Sequence, residues 1–377
     1  MKKRNFYKKT LNVFLLLALL FLLPAKLCAQ LRLFGGGLAF NLIDADSLYP
    51  EYLADPYALT SGFKYFQVTD YSGVPQTILA SNGTEYVEIP FAHYSESEFS
   101  SRNSFYQIKG FINLSFARLE LWDFLKAEVT TNGGINTVFQ AFGGTDTLGF
   151  DGIWRLAGTL RLFDAISLRY GWHHFSGHWG DETIADLPQP GDADYIPYTH
   201  LEEYTRASSH VFGVSANPEP WARLYFEAEL PMLESWIRPG IHIPAGFLSP
   251  TGDDLAYHIL NQEGLVEEVG SLPASYKAWR LQAGAELRCL LGDWGSLFLA
   301  GDFQLHQDGQ TLHQVGGYDP ENPWEFEYTV GGGLEYEKGF MGRKIRVEAF
   351  YHAGRFPLTN YFFLRSDYIS VGLAINN

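Results

Sequence analysis

The sequence has few residues that could hold an exported chain together covalently. It contains two cysteines in 377 residues, Cys28 and Cys289. An export signal expected at residues 1–29 would carry Cys28 away and leave a single thiol. One thiol cannot form an intramolecular disulfide, so the sequence excludes a disulfide-stapled secreted domain.

Long apolar runs are missing after the N-terminus. Residues 11–23 are nearly all apolar, follow a basic stretch that includes Lys8 and Lys9, and end at Pro24. This pattern is typical of a signal peptide, with cleavage after Ala29, and predicts one mature domain at residues 30–377. Because no later stretch approaches ~20 apolar residues, we expect no transmembrane helix.

Positive charge is also scarce. The chain has 27 basic and 43 acidic residues. Six of the basic residues fall in the expected signal peptide, which leaves 21 against 43 in the mature chain. Such an acidic balance argues against binding to nucleic acid and against a surface drawn to anionic lipid headgroups.

Aromatic residues and alternating segments are abundant. Phe, Tyr and Trp make up 16% of the chain. In the segment 367–377, Ile369, Val371 and Leu373 form one face, while Ser370 and Gly372 belong to the other. Similar alternation predicts about twelve strands, near 105–121, 125–133, 134–142, 150–161, 164–178, 208–216, 222–230, 275–290, 296–306, 325–337, 343–354 and 367–377. The expected fold is therefore all-β, an antiparallel transmembrane β-barrel in the outer membrane of a Gram-negative bacterium.

Three segments do not follow this pattern. Residues 31–61 alternate poorly, and we expect them at or below the periplasmic rim of the barrel. Residues 181–207 and 239–273 are acidic and contain Gly and Pro. In barrels of this type the long loops are extracellular, so both segments are predicted on the cell surface.

The stretch GWHHFSGHWGDE, residues 171–182, crowds histidines, a serine and carboxylates together. On the strand that precedes it, alternation places Tyr170 and Trp172 on the lipid face. Three further steps of two residues put His174, Ser176 and His178 on the same outward face. These polar side chains are expected at the level of the outer-leaflet headgroups.

A histidine and a serine on one face of a strand are close enough for the imidazole to accept the hydroxyl proton. We therefore predict Ser176 as a nucleophile and His174 as its general base, with Glu182 or Asp181 orienting the imidazole. His178, with Asp181, is predicted to bind the substrate. Asp151 has inward parity and lies away from Ser176.

Metal binding is the less favoured interpretation of this stretch. His174 and His178 are four residues apart on a strand, about 13 Å, which is too far to share one ion without a bend. No cofactor is therefore predicted, although oxygen ligands of the acidic loop suit Ca²⁺.

The motif His174-Phe-Ser176-Gly-His178-Trp-Gly180-Asp181-Glu182 resembles the signature of a bacterial outer-membrane β-barrel family of unknown function, DUF1207. That signature reads His-x-Ser-Ser-His-x-Gly-Asp-Glu, and Gly177 departs from it. The segments 53–57 and 349–363 are similar to weaker motifs of the same family, so the resemblance extends over most of the mature chain. The family resemblance implies a barrel fold and no activity.

An outward His-x-Ser pair is similar to those of the outer-membrane phospholipase and the lipid A deacylase. In those enzymes Asn-Gly follows the serine, whereas Gly177-His178 follows it here. This geometric likeness implies a lipid esterase or deacylase acting on membrane lipids or lipopolysaccharide at the outer leaflet.

A different class of function stays open beside the esterase. The barrel would then be non-enzymatic, a structural protein or a channel whose inward polar side chains line a lumen or interlock to seal it. The inward residues that carry this alternative are Arg169, His173, Lys344, Arg346, Glu348 and His352. The sequence leaves the oligomeric state undecided.

Overall fold

The computed structural model describes most of the chain after the expected signal peptide. The described residues are 29–33, 37–44, 46–72, 77–81, 86–90, 103–122, 124–142, 147–180, 200–232, 237–242, 258–260, 266–268, 279–307, 324–337, 343–361 and 365–376.

These residues form nineteen strands. Their bounds are β1 (Ala29–Leu33), β2 (Leu38–Asp44), β3 (Ser61–Ser72), β4 (Thr77–Ser81), β5 (Tyr86–Pro90), β6 (Ser104–Leu121), β7 (Leu125–Gln140), β8 (Thr147–Leu162), β9 (Ile166–Trp179), β10 (His200–Glu219), β11 (Ala222–Pro231), β12 (Ile237–His242), β13 (His258–Leu260), β14 (Val266–Glu268), β15 (Arg280–Leu290), β16 (Gly295–His306), β17 (Glu325–Tyr336), β18 (Lys344–Arg355) and β19 (Arg365–Asn376). Short 3-10 turns lie at Gly292–Trp294 and Thr359–Tyr361. No helix in the described part of the chain is long and apolar enough to cross a bilayer.

Twelve of the strands close into an antiparallel barrel. The order around the wall is β3, β6, β7, β8, β9, β10, β11, β15, β16, β17, β18 and β19, and β19 pairs back onto β3. Closure leaves no free sheet edge in the wall, as a bilayer requires. The predicted fold class and the predicted number of strands are confirmed.

Alternation along the wall strands separates a lipid face from a lumen. On β9, Leu168, Tyr170 and Trp172 are exposed, while Arg169 and His173 are buried. Exposed aromatic residues also gather where short turns join the strands, which we call the turn end; the opposite side, with the long connections, is the loop end. The aromatic residues at the turn end include Trp122, Phe124, Phe163, Trp221 and Trp294. Such a belt is typical of a membrane interface.

The strand count is right, although the predicted boundary between residues 133 and 134 is wrong. Residues 125–133 and 134–142 were expected as separate strands, and they form the single strand β7. Gly133 and Gly134 do not end the strand, because the ladder to β6 runs through both of them. The strand β3 was not predicted, and its addition restores the count of twelve.

The predicted surface loop 181–207 is shorter than expected, because β10 begins at His200. Residues 181–199, including Asp181 and Glu182, lie outside the described residues. In the other predicted loop, 239–273, the described pieces are the end of β12 and the short pair β13 and β14.

The first two strands extend the sheet at the seam of the barrel. The loop-end part of β6 pairs with β3, from Ser104 to Lys109. Its turn-end part pairs instead with β2, whose other edge pairs with β1. After β2 the chain turns into the lumen, where Tyr49, Tyr52 and Leu53 are almost completely buried. Residues 46–60, which we call the plug segment, therefore lie inside the barrel, and their predicted place at the rim is wrong.

We predict that the β6–β7 ladder tolerates a methyl group at Gly110 and not at Gly134. A Cβ at Gly134 would overlap the carbonyl oxygen of Gly110 and lie 2.7 Å from Phe111 Cα. A Cβ at Gly110 meets nothing within 4 Å. Gly134→Ala should thus cost about 1–3 kcal/mol of unfolding free energy, whereas Gly110→Ala should cost none. Urea unfolding of the refolded barrels measures both values, and equal losses would contradict the register of these strands.

Candidate functional site

The plug segment has no sheet partner, so its buried backbone groups need other hydrogen-bonding partners. Among the described residues, its bonds to the wall all come from wall side chains. Glu128 accepts from the Leu48 amide at 2.6 Å, and Glu286 accepts from the Leu53 amide at 3.0 Å. Arg223 donates to the Pro50 carbonyl at 2.7 Å. Inward charges of the wall therefore replace the missing backbone ladder.

Glu51 anchors the middle of the plug segment by charge. Its carboxylate forms an ion pair with Arg155 and lies 3.8 Å from Arg169. Burial raises the pKa of the Glu51 carboxyl, but Arg155 and Arg169 outweigh burial and lower the pKa to about 2. Glu51 is therefore charged throughout the ordinary pH range.

Aromatic contacts hold the plug segment beside this ion pair. The Tyr52 ring stacks on Tyr225 of β11, with centroids 3.7 Å apart, and its hydroxyl bonds to that of Tyr49 at 2.7 Å. The guanidinium of Arg169 lies 4.1 Å from the centroid of the Tyr49 ring, a cation–π contact. Further along, Gln304 donates to Asp55 at 3.1 Å. The plug segment thus contacts several strands of the wall.

A second segment enters the lumen from the loop end. Residues 356–361, the inner loop, connect β18 towards β19 and bury Phe356, Leu358 and Tyr361. Asp151 of β8 accepts hydrogen bonds from the amide of Thr359 at 3.0 Å and from its hydroxyl at 2.5 Å. The barrel is therefore occupied by its own chain from both ends.

The sequence predicts that six polar residues point inward, and burial confirms this for five of them. Arg169, His173, Arg346, Glu348 and His352 are all buried. Lys344 lies at the turn-end rim, where it pairs with Glu335 and Glu337 at 3.4 and 2.9 Å. These side chains interlock with the lumen contents and with one another.

The plug segment itself was missed at the sequence level. Its signal was present in the aromatic residues Tyr49, Tyr52 and Tyr57, which stand beside carboxylates in a stretch without alternation. Such a stretch has the hydrophobic content for burial but no strand period. The wall side chains that bond to the plug segment are far from it in the sequence, so only the three-dimensional structure identifies them.

The outward stretch of β9 lies where parity predicts. His174, Ser176 and His178 are half-buried on the outer face, above the exposed Tyr170 and Trp172. Ser176 Oγ shares a hydrogen bond with His178 Nε2, at 3.2 Å. Within the described residues no such bond joins His174 to Ser176; the roles of His174 as base and of His178 as binding residue stay predictions.

Neighbours on β8 shape this pair. Phe150 stacks on the His178 ring, with centroids 4.7 Å apart and planes 24° apart. Gly152 lies directly opposite Ser176, and Ser176 Oγ donates to the Gly152 carbonyl oxygen at 3.5 Å. Both contacts favour one orientation of the pair.

The predicted third group of a triad is not among the described residues, since Asp181 and Glu182 lie outside them. Asp151 is inward and buried, as predicted, and bonds to Thr359. Gly177 also faces inward, and a Cβ there would overlap Asn360 of the inner loop. Glycine at position 177 therefore leaves room for the inner loop. In the described part of the chain, no group of three or more His, Cys, Asp and Glu side chains is placed to hold a metal ion.

No protein-family model matches the sequence, and no curated protein matches it. The solved structures that it resembles include the translocator domain of the autotransporter NalP from Neisseria meningitidis, with 12% identity over 84% of this chain and 88% of that chain, TM-score 0.33. Another is the toluene transporter TodX from Pseudomonas putida, with 9% identity over 84% and 88%, TM-score 0.36. A third is an outer-membrane channel from Pseudomonas putida F1, with 10% identity over 89% and 100%, TM-score 0.31. These likenesses assign no activity and no substrate to this chain.

The position of the protein in the cell follows from the barrel itself. A closed antiparallel wall with an apolar outer face and an aromatic belt is stable only across a bilayer. The protein is an outer-membrane β-barrel, as predicted. Its resemblance to DUF1207 rests on the sequence motifs alone.

We predict that Glu51→Gln destabilises the barrel far more than loss of an exposed carboxylate does. The substitution removes a buried counter-charge from Arg155 and Arg169, which should lower the free energy of unfolding by about 3 kcal/mol. Asp164→Asn is the control, because the Lys126–Asp164 pair is exposed and should contribute less than about 1 kcal/mol. Urea unfolding at pH 7 measures both losses.

The pH dependence of the free energy of unfolding tests whether the charge of Glu51 causes this loss. Because the folded-state pKa of Glu51 is lowered to about 2, its stabilisation is complete above the unfolded-state value of about 4.5. The stabilisation disappears as the pH falls through about 2. The gap between wild type and Glu51→Gln should therefore close between these two values, and a gap that stays constant down to pH 2 would contradict the role of charge.

Proposed function

We propose that the protein is an outer-membrane conduit that its plug segment holds closed. The observation that carries this proposal is how the plug segment is held. Its described bonds to the wall involve wall side chains only, so it can leave without breaking a single rung of the barrel ladder. A segment that only filled space would not need the two ion pairs that Glu51 makes with the wall.

The size of the barrel supports the same function. About eight strands enclose a lumen that side chains alone can fill, whereas sixteen to eighteen leave an aqueous channel. A wall of twelve strands lies between these cases. With the plug segment removed, polar and charged side chains such as Arg155, Arg169 and Glu227 would line a water-filled path.

We predict that replacing residues 47–59 by a Gly/Ser segment of equal length opens the barrel. The replacement keeps the chain connection from β2 to β3 but makes none of the contacts of Glu51 or Tyr52. Planar-bilayer recording should show no steady conductance for the wild type and stepwise conductance for the variant. Unboiled gels must first show that the variant is folded. A folded variant that conducts no better than the wild type would overturn the proposal.

A disulfide gives a second measurement on an intact plug segment. Ala54 and Ala300 belong to one buried cluster, which makes Ala54→Cys with Ala300→Cys, in a Cys289→Ser background, the pair to test as a cross-link between the plug segment and β16. Conductance induced by urea below the unfolding range should be absent in the oxidised protein and return on reduction. Equal conductance in the oxidised and the reduced protein would show that ions pass by a route that does not require release of the plug segment.

The second candidate is a lipid hydrolase, and the Ser176–His178 distance of 3.2 Å is the observation that favours it. In this proposal Ser176 Oγ attacks the carbonyl carbon of a lipid ester while its proton passes to His178 Nε2. The bond to the leaving alcohol breaks and His178 returns the proton to that alcohol. Water then hydrolyses the acyl-serine, and free fatty acid is released. Phospholipid and lipopolysaccharide are the candidate substrates, with Ca²⁺ as a candidate cofactor.

We predict that Ser176→Ala and His178→Gln each reduce fatty-acid release by about 10²–10⁴-fold. His174→Gln, on the same face, distinguishes the two histidines and should reduce release much less. The refolded protein is incubated with phospholipid or with lipopolysaccharide, with and without Ca²⁺, and fatty acid is measured. A wild type that releases none in all four conditions would exclude the hydrolase, and a dominant loss in His174→Gln would return the base role to His174.

A further inference from the structure

The carboxylate of Glu51 lies between cationic and amide groups that belong to the wall of the barrel. It forms an ion pair with Arg155 and lies 3.8 Å from Arg169. The side-chain amide of Asn132 on β7 donates to the same carboxylate at 3.5 Å. Guanidinium groups are the side chains that suit a carboxylate best, because they combine charge with several N–H donors. The plug segment therefore places a carboxylate where the wall can bind one.

Arg155 depends on the plug segment for the compensation of its charge. Arg169 has a further partner in the wall, since it also forms an ion pair with Glu227 of β11. Among the described residues, Arg155 forms an ion pair with Glu51 alone. Departure of the plug segment would thus leave Arg155 without a counter-charge, and an anion from solution can then replace the Glu51 carboxylate.

Other arginines of the lumen pair with carboxylates of the wall itself. Arg280 lies 3.1 Å from Glu229, and Arg288 lies 3.1 Å from Glu286. These pairs do not involve the plug segment and would remain when it leaves. The change in charge on opening is therefore concentrated at Arg155.

The neighbours of Arg155 in the sheet supply further polar groups. Arg155 lies directly between Asn132 of β7 and His173 of β9, and His173 lies opposite Ser209 of β10. All four side chains are buried. In the part of the chain that the structure describes, neither His173 Nε2 nor Ser209 Oγ has a hydrogen-bonding partner. This row of four side chains thus has more hydrogen-bonding capacity than Glu51 uses.

We propose that Arg155 and Arg169 form a binding site for a small organic carboxylate, and that Glu51 fills this site while the plug segment is in place. The ligand class follows from the guanidinium groups, and the adjacent His173 and Ser209 favour a carboxylate that also carries hydroxyl groups. As a site on a transport path, the inference rests on the proposed conduit. As a binding site in the lumen, it does not.

Chemical rescue tests the site in the full-length protein. Glu51→Ala removes Cγ and the carboxylate, which are the heavy atoms of acetate, and leaves room for one acetate ion beside Arg155. Acetate at ten times its dissociation constant should therefore lower the unfolding equilibrium constant of Glu51→Ala about tenfold in urea. Chloride at equal ionic strength and acetamide, the neutral isostere, should not have this effect. The wild type should not respond, because Glu51 fills the site.

Two variants separate the site from a general effect of acetate. Asp164→Ala removes an exposed carboxylate that pairs with Lys126, and acetate should not stabilise it. Glu51→Ala combined with Arg155→Gln lacks the main ligand-binding group and should also show no rescue. Equal stabilisation of all three variants, or none of Glu51→Ala, would overturn the proposal. If Glu51→Ala does not refold in buffer, the refolded yield is measured instead, and an equal yield in acetate and acetamide would have the same meaning.

The barrel without its plug segment gives a second measurement. In the variant with Gly/Ser at residues 47–59, gluconate, a carboxylate with several hydroxyl groups, should reduce the chloride conductance in a saturable way. Arg155→Gln in that background should weaken this block at least about tenfold. Arg288→Gln is the matched control, because the partners of Arg288 are wall carboxylates, and the block should not change. Equal block in the two variants would contradict the assignment of Arg155.

The outcome is separable from that of the conduit test. Acetate rescue without conductance of the Gly/Ser variant would leave a carboxylate site in a barrel that transports nothing. A conducting Gly/Ser variant without acetate rescue would retain the conduit and remove the carboxylate site.

Discussion

The structure depends on one constraint: a non-strand segment buried inside a barrel must find partners for its peptide groups. In a sheet the neighbouring backbone would supply them, but the plug segment has no strand beside it. The wall supplies carboxylates and guanidinium groups instead, from Glu128 on β7 to Glu286 on β15. The charged lumen and the irregular plug segment therefore require each other, since either one alone would leave buried polar groups without partners.

The same constraint explains why a charged interior is compatible with a stable fold. Arg155 and Arg169 share Glu51, and Arg223 reaches both the plug backbone and Glu286. The charges of these three guanidinium groups are thus compensated within the lumen. Buried ion pairs add little net stability compared with apolar packing, and the loss of one partner is costly. Such an interior favours a single arrangement of the plug segment. Its contacts are side-chain contacts that can break without disrupting the barrel ladder, as the proposed conduit requires.

The outer face follows different rules because its solvent is lipid. Polar groups there must lie near the headgroups, and β9 obeys this rule, changing from Tyr170 and Trp172 to Ser176 and His178 towards the loop end. The lumen and the lipid lie on opposite sides of β9, and consecutive residues of β9 point alternately to one side and the other. Asp151 and Gly177 face the inner loop, while Gly152 and Ser176 face outward. The proposed conduit and the proposed hydrolase can therefore be tested independently.

The sequence by itself determined the barrel, the lipid face of each well-alternating strand and the outward position of Ser176, because a period of two depends only on neighbouring residues. It also determined that Arg169 and His352 point inward. Tertiary structure decided what fills the lumen, that β7 continues through Gly133 and Gly134, and that β3 completes the wall. It also decided that His178, and not His174, bonds to Ser176. These features depend on contacts between residues far apart in the chain, such as Glu51 with Arg155, or on the direction a side chain takes beyond its face, and no local pattern encodes either.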